Sequence, residues 1–154
     1  MKDISCCFTG HRQIAPADEP TLKTALKEQA VRLIEHGVTH FYCGGALGFD
    51  TLAAACILEL KQQNSNIQLL LALPCRGQEK YYNKYQKQLY HHIIEHADRV
   101  FYTAAAYSAG CMHERNRFMV DNCAYCICYL RKQSGGTKYT AHYAERSGLK
   151  VIYL

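Results

Sequence analysis

Six short apolar runs are strung along this chain of 154 residues, at 4–8, 39–43, 67–73, 99–103, 124–130 and 150–154, and segments of helical length separate them. The run 67–73 constrains the fold most. Its apolar residues follow one another without the in–out alternation of a half-exposed strand, which is the pattern of a central parallel strand covered by helices on both faces. From Thr21 onward, Leu22, Ala25, Leu26, Ala30, Leu33 and Ile34 recur at helical spacing, and Gly37 stands where a left-handed C-cap belongs. Pro16 and Pro20 mark the loop before that helix. Further helices are expected over about 50–63, 78–96, 114–122 and 137–147. Strands alternating with helices predict an α/β fold: a Rossmann-like, doubly wound, mainly parallel sheet with helices on both faces. Residues 1–154 are expected to form a single domain, large enough to bury a core without disulfides.

Two glycine pairs, Gly44-Gly45 and Gly135-Gly136, follow the second and fifth runs and lead into helical patterns. Glycine lets backbone N–H groups approach an anion closely, and the next helix presents unpaired donors at its N-terminus. Right-handed crossovers put both corners on one edge of the sheet. One small anionic molecule held between them is the expectation, a nucleotide or a phosphorylated sugar. Gly44-Gly45-x-x-Gly48 follows the second strand, where a dinucleotide fingerprint follows the first, and no acidic residue ends that strand to take a ribose. That argues against nicotinamide-type hydride transfer. No Gly-x-x-x-x-Gly-Lys-Thr string exists, which argues against P-loop ATP hydrolysis.

Gly135-Gly136-Thr137 offers backbone donors and a hydroxyl at one helix start. Arg115 and Arg117 lie near another, where the positive end of the dipole disfavours cations unless an anion neutralises them. Glu114 offers the alternative of a structural salt bridge. Gly10 and Arg12, after the first strand, join Gly44, Gly45, Gly48, Asp50, Arg115, Arg117, Gly135, Gly136 and Thr137 as candidate ligand contacts. Asp50 accepts from a ribose hydroxyl or caps its helix. No residue is assigned a catalytic role.

A net charge of +5 favours anionic partners without singling out nucleic acid. The nine cysteines are odd in number, and Cys6, Cys7, Cys43, Cys126 and Cys128 fall inside strand-like runs, where free Cys behaves as a small hydrophobe. Cys123-x-x-Cys126, with Cys111 and His113 nearby, has metal-site spacing. Cys126 reads as strand core, however, and no second such pair exists, so no metal is expected. A stripe of Tyr82, Tyr85, Leu89 and Ile93 is read as core and pocket rim, with Lys80, Lys84, Lys87 and His91 on the opposite face. No stretch approaches the roughly 18 apolar residues of a membrane span, and the opening Met1-Lys2-Asp3-Ile4 lacks an export signal's apolar stretch. A cytoplasmic location is expected.

The strings CCFTGHR at 6–12, CGGALGFDTLAA at 43–54, LPCRGQ at 73–78, GCMHERNRFMVDNC at 110–123 and GGTKYTAHYA at 135–144 carry a resemblance. In that order they resemble the SLOG superfamily, named after the SMF/DprA and Lonely Guy proteins, and within it the YpsA-like branch. The resemblance implies a Rossmann-like sheet with a pocket for a nucleotide or ADP-ribose-like ligand at the glycine loops. Lonely Guy enzymes remove ribose phosphate from cytokinin nucleotides with an arginine of Met-His-x-Arg-Lys and a glutamate of Gly-Gly-x-Gly-Thr-x-x-Glu. Here Met112-His113-Glu114-Arg115 matches the first string. Thr140 stands where the glutamate would, and a threonine cannot do a carboxylate's acid–base work. Binding or sensing of such a ligand is therefore expected ahead of N-glycosidase chemistry. The DprA side implies single-stranded DNA as a third reading, which the tyrosines, Arg76 and the lysines suit. Relatives with this sheet pair through helices, so a homodimer is a further expectation.

Overall fold

A computed structural model describes residues 1–154. Six parallel strands form one sheet: β1 Ser5–Gly10, β2 His40–Cys43, β3 Gln68–Leu73, β4 Arg99–Tyr102, β5 Tyr125–Tyr129 and β6 Lys150–Tyr153. Their order is β4-β3-β2-β1-β5-β6. The helices are α1 Glu19–Glu35, α2 Phe49–Lys61, α3 Lys84–His96, α4 Cys111–Asp121 and α5 Gly136–Arg146.

Strand side chains alternate between two cores. Phe8, Phe41, Leu69, Leu71 and Leu73 meet α1, α2 and α3 on one face. Cys7, Ala72 and Cys126 meet Met119 and Val120 of α4 and Ala144 of α5 on the other. The expected Rossmann-like architecture, parallel and covered on both faces, is the one observed. From β1 the chain winds outward through β2, β3 and β4, then returns to place β5 and β6 on the other side. The winding therefore reverses between β1 and β5, and a crevice opens beyond their C-terminal ends. No helix is long and apolar enough to cross a membrane.

Several local expectations are corrected. β1 continues to Gly10, because Thr9 and Gly10 pair with Cys128 and Tyr129 of β5. Pro20 lies inside α1, in its first turn, where its missing N–H costs nothing. The helix expected over 78–96 is broken. Gln78–Tyr81 is a 3-10 turn, and α3 begins only after Asn83, whose side chain accepts from Gln86 N while Gln86 Oε1 accepts from Asn83 N. That capping box outweighs the aromatic periodicity. Tyr85 stands in the first turn of α3 and is 72% exposed, while Tyr90 and Ile93 are the residues this helix buries. Asp50 does not cap α2. Gly48 occupies the cap position with φ +78°, and Asp50 lies one residue inside the helix.

Candidate functional site

Close approach at the end of β1 brings the two sides of the crevice together. Gly10 has no β-carbon, and one built there would run into the Phe49 ring. Phe49 N donates to His11 O at 3.1 Å, tying the β1 loop to the start of α2. Gly48 packs on the Arg12 backbone with positive φ, a place that only glycine fills without strain. Across the sheet, His11 Nε2 accepts from Arg131 N at 2.7 Å and from Lys132 N at 3.3 Å. The loops after β1 and β5 thus form one rim.

Beneath that rim runs a cleft of about 580 Å³. It is bordered by Gly10, Arg12, Asp50, Arg115, Gly135, Gly136 and Thr137 from the sequence-derived set, and also by His11, His113 and Lys132. The first α5 amide with a backbone partner is Tyr139 N, which donates to Gly135 O at 3.0 Å. The N–H groups of Gly136 and Thr137, at the cleft, and of Lys138 are left without one, as any helix start leaves its first donors.

Arg115 is 3% exposed. α4 starts at Cys111, three residues earlier than expected, so Arg115 stands a full turn inside the helix and reaches across beneath β2 and β3. Its Nη1 donates to Gly44 O and, at 3.5 Å, to Ala72 O. Its Nε donates to Asn116 Oδ1 at 2.7 Å, Asn116 Nδ2 to Thr140 Oγ1 at 3.1 Å, and Thr140 Oγ1 to Gly136 O at 2.9 Å. This relay joins the buried cation to the glycine corner of α5. Nη2 has only the Met112 sulfur, at 3.9 Å. Asp50 is buried nearby and accepts from Ala46 N at 3.2 Å. It makes no ion pair with Arg115; the ion pairs of the molecule lie elsewhere. Burial pushes the Asp50 carboxyl up, against the pull of Arg115. Burial likewise lowers the Arg115 guanidinium, which Asp50 opposes.

Not every expected residue reaches the cleft. The first glycine pair does not border the cleft: Gly44 lies against Arg115 and Asp50, and Gly45 against Leu73. A β-carbon at Gly44 would stand 2.6 Å from Arg115 Nη1 and 2.7 Å from Asp50 Oδ2. One at Gly45 would stand 2.6 Å from the Leu73 side chain, and Gly45 O accepts from Tyr82 OH at 3.1 Å. Gly48 supports Arg12 from behind. Arg117 donates to Tyr139 OH at 3.2 Å and is spent between α4 and α5. Glu114 is exposed and pairs with neither arginine. Thr140 is fully engaged in the relay. His113, read from the sequence only as a neighbour of the Cys123 pair and as part of the Met112–Arg115 string, borders the cleft. Its ring meets Tyr139 edge-on at 4.7 Å, and its Nδ1 is buried without a partner. Cys123 and Cys126 are free thiols buried with Cys7 beneath α4 and α5.

A doubly wound parallel sheet with its crevice at the point where the winding reverses defines a Rossmann-like α/β protein. The model of the YspA SLOG family matches residues 7–153, and the chain belongs to that family. An uncharacterised prophage-derived protein, YoqJ of Bacillus subtilis, is 27% identical over 141 residues, covering 80% of this chain and 82% of its own. A UPF0398 protein of Bacillus pumilus is 30% identical over 144 residues, covering 89% and 77%. Among solved structures, DNA processing protein A of Streptococcus pneumoniae superposes with a TM-score of 0.67 at 18% identity, over 97% of this chain and 49% of that one. The Helicobacter pylori protein of that name, described for its single-stranded DNA binding mode, gives 0.66 at 18%, over 99% and 65%. This chain thus spans about half to two-thirds of those DNA processing proteins. At that identity the likeness is one of fold.

Proposed function

We propose that residues 1–154 act as one domain that binds a nucleotide or nucleotide-derived phosphosugar in the cleft between the ends of β1 and β5. The observation that carries this reading is Arg115: a guanidinium 3% exposed, bordering the cleft, with no carboxylate paired to it. Asp50 compensates the burial of that charge only in part, and an anion entering the cleft adds to the compensation. The free donors of Gly136 and Thr137 take phosphate oxygens, and Arg12 and Lys132 supply further positive charge at the mouth. Asp50 is the one carboxylate on the wall and suits a ribose hydroxyl. The ligand is held rather than cleaved, because Thr140 occupies the place of the hydrolase glutamate.

Thermal unfolding against a panel of nucleoside mono- and diphosphates and ADP-ribose tests the reading. A ligand at about 100 times its dissociation constant adds about 2.7 kcal/mol to stability. Arg12→Ala with Lys132→Ala reduces that gain. If no compound of the panel shifts the melting temperature, the reading fails.

A second reading, single-stranded nucleic acid, is favoured by the rim on the β4 side. Tyr81 and Tyr107 are 89% and 74% exposed there, Lys80 stands over Tyr81, and Arg76 lies 4.2 Å from the Tyr102 ring centre. Exposed aromatics among cations suit base stacking along a charged strand. Salt-sensitive retention of a thymidine oligonucleotide, weakened by Tyr81→Ala and Tyr107→Ala, supports it; no retention at low salt dismisses it.

A further inference from the structure

The loop between β5 and α5 carries the second glycine pair, yet its own backbone holds it loosely. Gln133, Ser134 and Gly135 N–H have no protein acceptor. The two amides that do have one, Arg131 N and Lys132 N, both end on a single atom, His11 Nε2, at 2.7 and 3.3 Å. An imidazole nitrogen accepts only when it carries no proton, so the neutral ring must hold its hydrogen on Nδ1. His11 is itself fixed, with its carbonyl accepting from Phe49 N and its ring edge-on to Tyr129 at 5.6 Å.

We propose that His11 is a positioning residue: its neutral ring latches the β5–α5 loop so that Gly135, Gly136 and Thr137 face the cleft, and protonation of the ring releases them. The consequence for affinity rests on the nucleotide reading above; the latch itself does not. The charged and titratable groups around the ring are Arg131 and Lys132 of the loop, Tyr129 of β5 with Asp18 bonded to its hydroxyl, and Arg12 next in sequence. From α2 only the uncharged Phe49 reaches it. Burial first, then Lys132 and Arg131, lower its pKa from 6.5, so the latch is closed at neutral pH.

Protonation of His11 has two opposed effects on an anionic ligand. Added positive charge strengthens binding, whereas release of the loop weakens it, and the sign of the pH dependence separates them. Asp50 also borders the cleft, but it is unchanged in His11→Gln, so only a fall that His11→Gln abolishes belongs to the His11 ring. ADP-ribose is the probe, because its pyrophosphate does not titrate in the range where histidine does. Wild-type affinity is expected to fall about tenfold from pH ~8 to pH ~5. His11→Gln, whose amide oxygen accepts at either pH, keeps its affinity across the range; His11→Ala is weak throughout. In ligand-free protein at pH ~8, the amides of Arg131 and Lys132 exchange with deuterium faster in His11→Ala than in wild type, and His11→Gln restores the slow rate. Wild-type affinity that rises or stays level toward pH ~5, or exchange indifferent to His11→Ala, overturns the proposal. If ADP-ribose binds no variant at any pH, the nucleotide reading fails with this probe, and the exchange comparison still decides the latch.

Discussion

Gly44→Ala separates the two roles a glycine can play in this loop. Gly44 has no positive φ, so alanine meets no backbone strain there and the cost is one of space. The new methyl group would stand 2.6 Å from Arg115 Nη1, 2.7 Å from Asp50 Oδ2 and 2.8 Å from Arg115 Cζ. The guanidinium must retreat by roughly 1 Å to regain an ordinary contact, and at 3% exposure, bonded to Gly44 O, Ala72 O and Asn116 Oδ1, it is held in place against that retreat. Overpacking of this kind costs about 1–3 kcal/mol. Loss of the charge-assisted bond to Gly44 O adds about 1.5–3 kcal/mol, partly the same energy counted twice. We expect a net loss of about 2–3 kcal/mol, or roughly 5–10 °C in melting temperature for a chain of this length. Thermal and urea unfolding of the ligand-free protein measure it.

The control is the same substitution in an Arg115→Met background. With the guanidinium gone, the cost of Gly44→Ala should fall by half or more, the non-additivity expected of residues in contact. Were Gly44 kept bare for an anion instead, alanine would leave the ligand-free protein unaffected and impair only binding. A loss below about 0.5 kcal/mol, or an equal loss in both backgrounds, would falsify the assignment of Gly44 to Arg115.

Gly136→Ala should behave in the opposite way. Nothing lies within 4 Å of its missing β-carbon and its φ is not positive, so alanine in the first turn of α5 is expected to add up to about 1 kcal/mol of stability while weakening nucleotide binding; unfolding and titration calorimetry read the two signs. Asp50 carries a raised carboxyl pKa, so the native state holds a proton that the unfolded chain has released between 3.8 and the raised value, and stability falls as pH rises through that window. Asp50→Asn should therefore gain on wild type as pH goes from about 4 to about 7 in urea unfolding, and a gap moving the other way refutes the shift. Burial raises the thiols of Cys6 and Cys43 well above their usual range and Cys56 to about 11, while the hydrogen bond with Cys7 first, then burial, raises Cys126 well above it. Native protein at pH ~8 should react slowly with iodoacetamide at these positions and quickly once unfolded, as mass mapping would show.

What could be read from the chain follows from how far apart the interacting residues lie. The apolar runs and helical stripes are local patterns, and with the parallel, right-handed habit of such folds they were enough for the sheet, its two covered faces and the edge that carries the cleft. The broken helix was also a local matter: Asn83-x-x-Gln86 is a capping signal, and it lost to a tyrosine stripe whose period happened to run across it. The roles of Gly44 and His11 are different in kind. Gly44 is bare because Arg115, 71 residues on, fills the space; His11 matters because it holds amides 120 and 121 residues away. Both glycine corners look alike in sequence, each announcing only that a side chain is unwelcome. At Gly44 the excluded volume is already taken by the protein's own cation, and at Gly136 it stands open beside unpaired donors. On the proposed nucleotide reading, the first glycine makes room for the charge and the second faces the ligand, so substitution is expected to show in stability at one corner and in binding at the other.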